Sequence, residues 1–454
     1  MRVMFQNHAS LLFEMDGHYL LTDPWHEKPA FGSWLPTYPS YVHPVYLAAL
    51  KDKLSILISH GHDDHFDDEV LALFDKETIF ITANFKAPSV VNRLKKLGFN
   101  NIILIGEEEN KINNKWVVSS FVVEEFSHDD AIYLIRTESG AVIHANDNWN
   151  EFRGDHVKLI KKRCDEYDRK SIALFSQSNS ASGFPLNYRC FSAEDKRSLL
   201  EKKILDMLKG ADENANHLGV DQFYAYAGFA TPYVKSKFYH LESIFVDQEN
   251  IDDLIAGSGI RCKVKSIVPG TILDFPSAKT SEPFVTGYTG NYFKAVSDGY
   301  YNKYNKLNGC LSYSTNYSRS DVDVDLLEYF MFQFNDFVIK RVANIDSHQK
   351  GILGKTFKFI LECDDNVVVE RSIMFGTGLV QNIEKPNKTC FVQASVMMHV
   401  IKGQALFEDL YTGYNAEWSR YPVEVYNRDI IMMIVMFSYV YKNRIYPSLI
   451  ASQI

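Results

Sequence analysis

The first apolar positions of the chain fall at residues 2–5 and 10–14, where they alternate or run together, with Asp16-Gly17 as a hairpin signal behind them. The segment "HYLLTDP" then resumes an apolar strand that ends at Asp23-Pro24, so the pattern predicts an antiparallel β opening. Leu54 to Ile58 is a short continuous apolar run and reads as a buried strand. Beyond it "DDEVLALFD" has helical spacing, "TIFITA" is strand-like, and "APSVVNRLKKLGF" is helical with Gly98 as its stop. Strand character returns in "KWVVSSFVVEEF" and in "AIYLIRTESGAVIHAND", where Ser139-Gly140 marks a turn. A helix-like "DHVKLIKKRCDEYD", a buried strand "SIALFS" and a charged helix over roughly 193–210 follow.

"DQFYAYAGFA" and "KVKSIVPGTILDF" supply the last strands of this first unit, which is expected to span 1–285. Residues 286–320 turn rich in Tyr, Asn and Ser and read as a connecting segment; 321–454 read as a smaller α+β C-terminal domain. At 454 residues the chain suits two or three domains with substantial cores. No repeat or low-complexity tract interrupts it.

Composition narrows the classes. The net charge of −9, from 48 basic and 57 acidic residues, argues against nucleic acid as a partner, because phosphate backbones are met with clustered Lys and Arg. Six cysteines are scattered without a C-x-x-C pair, which predicts reduced thiols in the cytoplasm. Polar residues break the N-terminal apolar run, so no signal peptide is expected. The apolar stretch at 430–442 is too short to span a membrane and is expected to be a buried helix.

Candidate chemistry sits directly behind the Leu54–Ile58 run, in "ILISHGHDDHFDDE". His60, His62, Asp64 and His65 lie within six residues on the turn that ends a strand, where a rigid backbone can aim several donors at one point. Imidazole and carboxylate suit Zn, Fe or Mn, and four such donors can feed two ions. A solvated His-rich loop is the alternative. His128 heads the next apolar strand and Asp147 ends its return, 19 residues later, so a hairpin would bring both to one sheet edge.

"HGHDDH" followed by a His and then an Asp at these distances resembles the metallo-β-lactamase superfamily. The blocks "NHASLLFEMDGHYLLTDPW", "SASGFP", "YAGF", "VPGTILDF" and "LFEDLYTGYNAEWSRYPVEVYN" look most like the branch holding ascorbate-phosphate lactonases and the catalytic, non-Rieske part of CMP-N-acetylneuraminate hydroxylase. These blocks run from residue 7 to residue 427. The resemblance implies an α/β fold, an αββα sandwich with metals at its sheet edges. It implies that His60, His62 and His128 hold one metal, that Asp64 and His65 hold a second, and that Asp147 bridges them. Asp64 and Asp147 would then be catalytic, and Asp23 the structural aspartate beneath the metals. The superfamily's late His falls at Val234, with His240 as the nearby candidate for the second site; a single metal or a different donor stays open. The hydroxylase's Rieske ligand pairs are missing from this sequence, so no Rieske cluster is expected in this chain and electrons would come from a separate donor protein.

His8 could support the site from behind or be a satisfied buried histidine, and His26 reads as a loop residue at the rim. His144 faces either the bridge or the core; His156, His217, His348 and His399 have no partner in sequence. The tyrosines at 288, 292, 300, 301 and 304 read as interdomain packing or a pocket lining. Two enzyme classes compete: hydrolysis of an ester, lactone or phosphoester by zinc- or manganese-activated water, and hydroxylation of a small molecule by a pair of irons. The whole-chain resemblance favours the iron oxygenase, with a sugar or sugar nucleotide as substrate by analogy. A non-catalytic binding protein on the same fold is a third reading, and a homo-oligomer is left open.

Overall fold

The computed structural model describes residues 1–36, 40–122, 130–148, 154–166, 171–177, 183–220, 222–227, 230–232, 254–256, 258–260, 264–277, 279–281, 317–343, 351–381 and 383–452. Strands β1 (Arg2–Asn7), β2 (Ser10–Met15) and β3 (His18–Thr22) form the expected meander. Met15 pairs with His18 around Asp16 and Gly17, whose φ angles are 51° and 74°. A two-residue hairpin turn needs positive φ at both positions, which Gly adopts freely and Asp tolerates.

After the short strand β4 (Trp34–Pro36) and helix α1 (Pro44–Ala48), β5 (Leu54–Ile58), β6 (Ile79–Ala83) and β7 (Ile102–Ile105) extend the meander in parallel from β3. Helices α2 (Asp68–Leu71) and α3 (Ser89–Lys96) follow β5 and β6. The second sheet begins with β8 (Asn110–Ile112), β9 (Trp116–Val122), β10 (Ala131–Thr137) and β11 (Gly140–His144), all antiparallel. Helix α4 (Asp155–Glu166), β12 (Ile172–Gln177), helix α5 (Ala193–Leu218) and β13 (Gln222–Tyr226) continue it in parallel fashion. Strand β14 (Ala230–Pro232) pairs with β4, β15 (Val264–Ser266) joins β13, and β16 (Ile272–Asp274) with β17 (Lys279–Ser281) returns to the first sheet beside β1.

The two sheets face each other across one core, in which Val3, Phe5, Leu11 and Leu57 meet Val118, Leu134, Ile143 and Phe223. Leu47, Val70, Val90 and Leu94 from α1, α2 and α3 cover the outer face of the first sheet with Leu21, Ile56 and Phe80. Val157, Ile160, Leu200 and Ile204 of α4 and α5 join the main core from the other side. The layer order is therefore α, β, β, α, as expected. Two helices differ in length from the sequence reading. The "DDEVLALFD" helix is a single turn capped by Asp67, and α5 runs on to Leu218 before Gly219 stops it at φ 66°. The extra turns of α5 carry weak helix formers, but Met207, Leu208, Ala211, Ala215 and Leu218 are buried, and that packing outweighs propensity.

The C-terminal unit has its own core. Helix α6 (Val324–Ala343), β18 (Thr356–Glu362), β19 (Val368–Met374), β20 (Gly378–Val380), β21 (Lys388–Gln393), α7 (Ala394–Ile401), α8 (Phe407–Tyr411), β22 (Ala416–Arg420) and α9 (Arg428–Val440) follow one another. The sheet order is β20-β19-β18-β21-β22. Helix α9 takes up the apolar stretch at 430–442 and packs Ile430, Ile434 and Phe437 on α6 and the sheet. Tyr188, from the first unit by sequence, is wholly buried in this second core, and Asn187 and Arg189 exchange backbone hydrogen bonds with Trp418. The connecting segment expected over 286–320 and its tyrosines lie, up to residue 316, outside the described residues. Among the described residues no helix is long and apolar enough to cross a membrane.

Candidate metal centre

The centre is built on the parallel pairing of β3 with β5, which places Asp23 beside Ser59 at the ends of both strands. Asp23 is fully buried and accepts hydrogen bonds from Ser59 N (2.7 Å), His65 Nδ1 (3.1 Å) and His144 Nε2 (3.0 Å). Because His144 donates from Nε2, its Nδ1 accepts from Tyr226 O–H at 2.5 Å. Burial opposes ionisation of Asp23, yet the hydrogen bonds from His144 and His65 outweigh it and hold the carboxyl far below the usual carboxylate range.

Above this base stand two groups of donors, His60 with His62 and Asp147, and His8 with Asp64 and His65. In the first, His60 Nε2 lies 2.7 Å from His62 Nδ1 and 3.8 Å from Asp147 Oδ1. In the second, Asp64 Oδ2 lies 3.2 Å from His8 Nε2 and 3.7 Å from His65 Nε2. Asp147 belongs to both by distance, since its Oδ2 is 3.9 Å from His65 Nε2. Its position follows from the β10–β11 hairpin, whose open end is tied by Asn146 Nδ2 donating to Ala131 O at 2.7 Å. The same tie brings Asp130 in, with Oδ1 3.4 Å from His60 Nδ1.

Charges in the cage are interdependent. Burial and then the neighbouring His65 push His60 down to about 3, while His62 rises to about 9: burial works against protonation there, but the carboxylate of Glu408, then Asp64 and Asp147, prevail. Burial and the facing Asp147 push Asp130 well above the carboxylate range.

Glu408 reaches the centre from α8 of the C-terminal unit. Its Oε1 is 3.9 Å from His62 Nε2, and its Oε2 accepts from Tyr439 O–H at 3.0 Å. Trp34 Nε1 donates to Thr412 O at 2.6 Å and Ser33 Oγ to Gly413 O, so the end of α8 is fastened to the first unit.

Five of the expected ligands, His60, His62, Asp64, His65 and Asp147, thus converge, and Asp23 lies beneath them. His128 and His240 lie outside the described residues, as does Val234. His144 faces neither the bridge nor the core alone; it holds Asp23. Sequence reasoning missed His8 as a donor in contact with the cage, and missed Glu408 altogether. The signal for His8 was available: Gln6, Asn7 and His8 are three polar residues at the tip of an apolar hairpin, and a buried polar tip implies a site. Glu408 lies in the block "LFEDLYTGYNAEWSRYPVEVYN", but nothing in its neighbours marks it as facing His62.

Residues 2–162 match the family model described as the Beta-lactamase superfamily domain. A segment of 102 residues is 34% identical to a putative Rieske 2Fe-2S iron-sulfur protein of Mycolicibacterium smegmatis, covering 22% of this chain and 19% of that protein. The chain therefore spans about a fifth of the length of the curated relatives it matches. Among solved structures, isothiocyanate hydrolase from Delia radicum gut bacteria aligns over 62% of this chain and 100% of its own, at 14% identity and a TM-score of 0.40. CmlA, a diiron beta-hydroxylase from Streptomyces venezuelae, aligns over 60% of this chain and 53% of its own, at 15% identity and a TM-score of 0.38.

Proposed function

We propose that the protein is a metal-dependent enzyme with a dinuclear centre, and that it hydroxylates a small molecule using a pair of irons. One observation carries the dinuclear reading: the two oxygens of Asp147 face different donor groups, Oδ1 toward His60 at 3.8 Å and Oδ2 toward His65 at 3.9 Å. His60, His62 and Asp147 would hold one ion, with His128 added by the resemblance; His8, Asp64, His65 and Asp147 would hold the other.

The residues fit such a pair. Asp64 Oδ1, Asp147 Oδ1 and His65 Nε2 are buried and make no hydrogen bond among the described residues. Polar atoms left so are costly, and cations among them would satisfy all three. When bound, a divalent ion supplies Lewis acidity, lowers the pKa of a coordinated water and, if it is iron, redox chemistry. The chain's own part is orientation. Asp23 fixes the Nδ1 side of His65 and leaves Nε2 facing Asp64 and Asp147. Glu408 faces Nε2 of His62 and leaves Nδ1 turned toward His60. Carboxylates behind ligating histidines set the tautomer and raise donor strength in this way.

The donor set suits iron, zinc or manganese. The oxygenase reading draws on the likeness of a segment to proteins named for a Rieske cluster, which fits a redox role with electrons supplied by a separate protein, and on the sequence blocks that extend into the C-terminal unit. Hydrolysis is the second reading, favoured by the match to the Beta-lactamase superfamily domain. Elemental analysis of the full chain purified without added metal separates them. About two irons per chain with visible absorption support oxygenation, zinc supports hydrolysis, and a metal-free protein with no affinity for either overturns the centre.

A further inference from the structure

Lys388 and Arg420 stand opposite each other on β21 and β22, in register. Lys388 is wholly buried and Arg420 is 8% exposed. Both cations lie against the same two rings: Lys388 Nζ is 4.9 Å from the centre of Tyr188 and 5.5 Å from Tyr426, and Arg420 Cζ is 5.7 and 5.6 Å from them. Tyr411 and Trp418 complete the wall around Lys388. Phe184 and Phe191 lie 5.2 and 5.3 Å from Arg420 Cζ; ring faces attract cations, yet they supply neither a counter-charge nor oxygen acceptors for the ammonium and guanidinium N–H groups.

No carboxylate among the described residues pairs with either cation. The acids nearby are engaged elsewhere, Asp429 with Lys355 at 2.6 Å, and Glu362 and Glu417 with Arg189 at 2.8 and 2.6 Å. Hydrogen-bonding capacity is also left over. Arg420 Nε donates to Val423 O at 2.6 Å, but its Nη1 is buried and has no hydrogen-bond partner among the described residues. Among the described residues Lys388 Nζ donates to one oxygen, Tyr188 Oη, at 2.5 Å. Burial and then the facing Arg420 push the Lys388 ammonium down to about 7, so the pair is held under electrostatic load.

We propose that Lys388 and Arg420 form a binding site for a phosphate group, either free phosphate or the phosphate of a larger ligand. A phosphate carries close to two negative charges at neutral pH, matching the two cations, and its oxygens suit the Arg fork together with the Lys point charge. Of the two rings that touch both cations, Tyr188 is buried and Tyr426 is 45% exposed, so the side of Tyr426 is the one that meets solvent. The site is distinct from the cage but shares α8 with it, since Tyr411 packs on Lys388 and Glu408 faces His62.

Calorimetric titration of the full-length protein with inorganic phosphate tests this, in a His8→Ala/His62→Ala background that removes a donor from each of the two groups, so that the metal centre makes no contribution. Saturable binding is expected there, weakened about tenfold or more by Arg420→Gln and by Lys388→Met, since each removes a charge-assisted contact. Lys388→Met should fold, because replacing an uncompensated buried charge by an apolar chain of similar length is often neutral or stabilising; should it fail, Arg420→Gln decides alone. Absence of saturable binding in the His8→Ala/His62→Ala background, or equal affinity in the Arg420→Gln and Lys388→Met variants made in it, overturns the proposal. Phenyl phosphate binding more tightly than phosphate assigns the site to a phosphoester, and equal affinity assigns it to the free ion.

Discussion

Glu408 Oε1 lies 3.9 Å from His62 Nε2, and the two residues belong to different hydrophobic units of the molecule. His62 follows the end of β5 in the sandwich, whereas Glu408 sits on α8, whose Phe407 and Leu410 are buried in the C-terminal core. The candidate metal cage is therefore approached from two separately packed units. Glu408→Gln keeps the size of the side chain and removes its charge. The expected result is metal affinity reduced about 10- to 100-fold at one of two sites, as for other carboxylates behind ligating histidines. Chelator competition with circular dichroism as the fold control measures it, and unchanged affinity would show that Glu408 does not orient His62.

His8→Ala should lower the metal content from about two ions per chain to about one, because His8 with Asp64 and His65 supplies the second set of donors. His62→Ala should spare that ion and lose the other. If His8→Ala keeps both ions, His8 acts only on the orientation of Asp64, and the second site takes its donor from elsewhere.

Asp147→Asn removes the carboxylate that faces both groups and leaves the repulsion between two cations less compensated. At most about one ion per chain is expected to remain, with activity nearly abolished. Asp130→Asn is the control, because Asp130 faces His60 Nδ1, the nitrogen turned away from His62. It should retain both ions at saturating metal, with affinity lowered as for Glu408→Gln; the opposite pattern would exchange the roles of the two carboxylates.

Asp409 gives the chain a pH signature outside the cage. Burial pushes its carboxyl up to about 7, although the hydrogen bond from Leu406 N at 2.7 Å pulls the other way. An unfolded Asp titrates near about 4, so between those values the folded chain binds the extra proton and this contribution to stability is lost as pH rises. Asp409→Asn retains an oxygen acceptor for Leu406 without a charge. Its melting temperature should match the wild type at about pH 4 or below and exceed it at pH 8. Equal melting temperatures at both values would mean that Asp409 is ionised at no cost.

The αββα order came from the family resemblance, while local pattern was enough to identify the Asp16-Gly17 turn, the β10–β11 hairpin and the strand end that carries His60, His62, Asp64 and His65. These are legible because side-chain period, turn chemistry and strand ends are properties of a few neighbouring residues. Asp147 was legible too, since a hairpin's register returns it to the edge it left. The length of α5 was not, because its last turns form for the sake of Ala211, Ala215 and Leu218, whose burial depends on the sheet beneath. The junction of the two cores, the approach of Glu408 to His62 and the pairing of Lys388 with Arg420 were decided by tertiary structure alone. In sequence Lys388 is one polar residue in "PNKTCFVQ" and Glu408 one acid in a short helix. Their environments arise only when apolar faces far apart in the chain are buried against one another, and that burial carries polar side chains into places their neighbours do not specify.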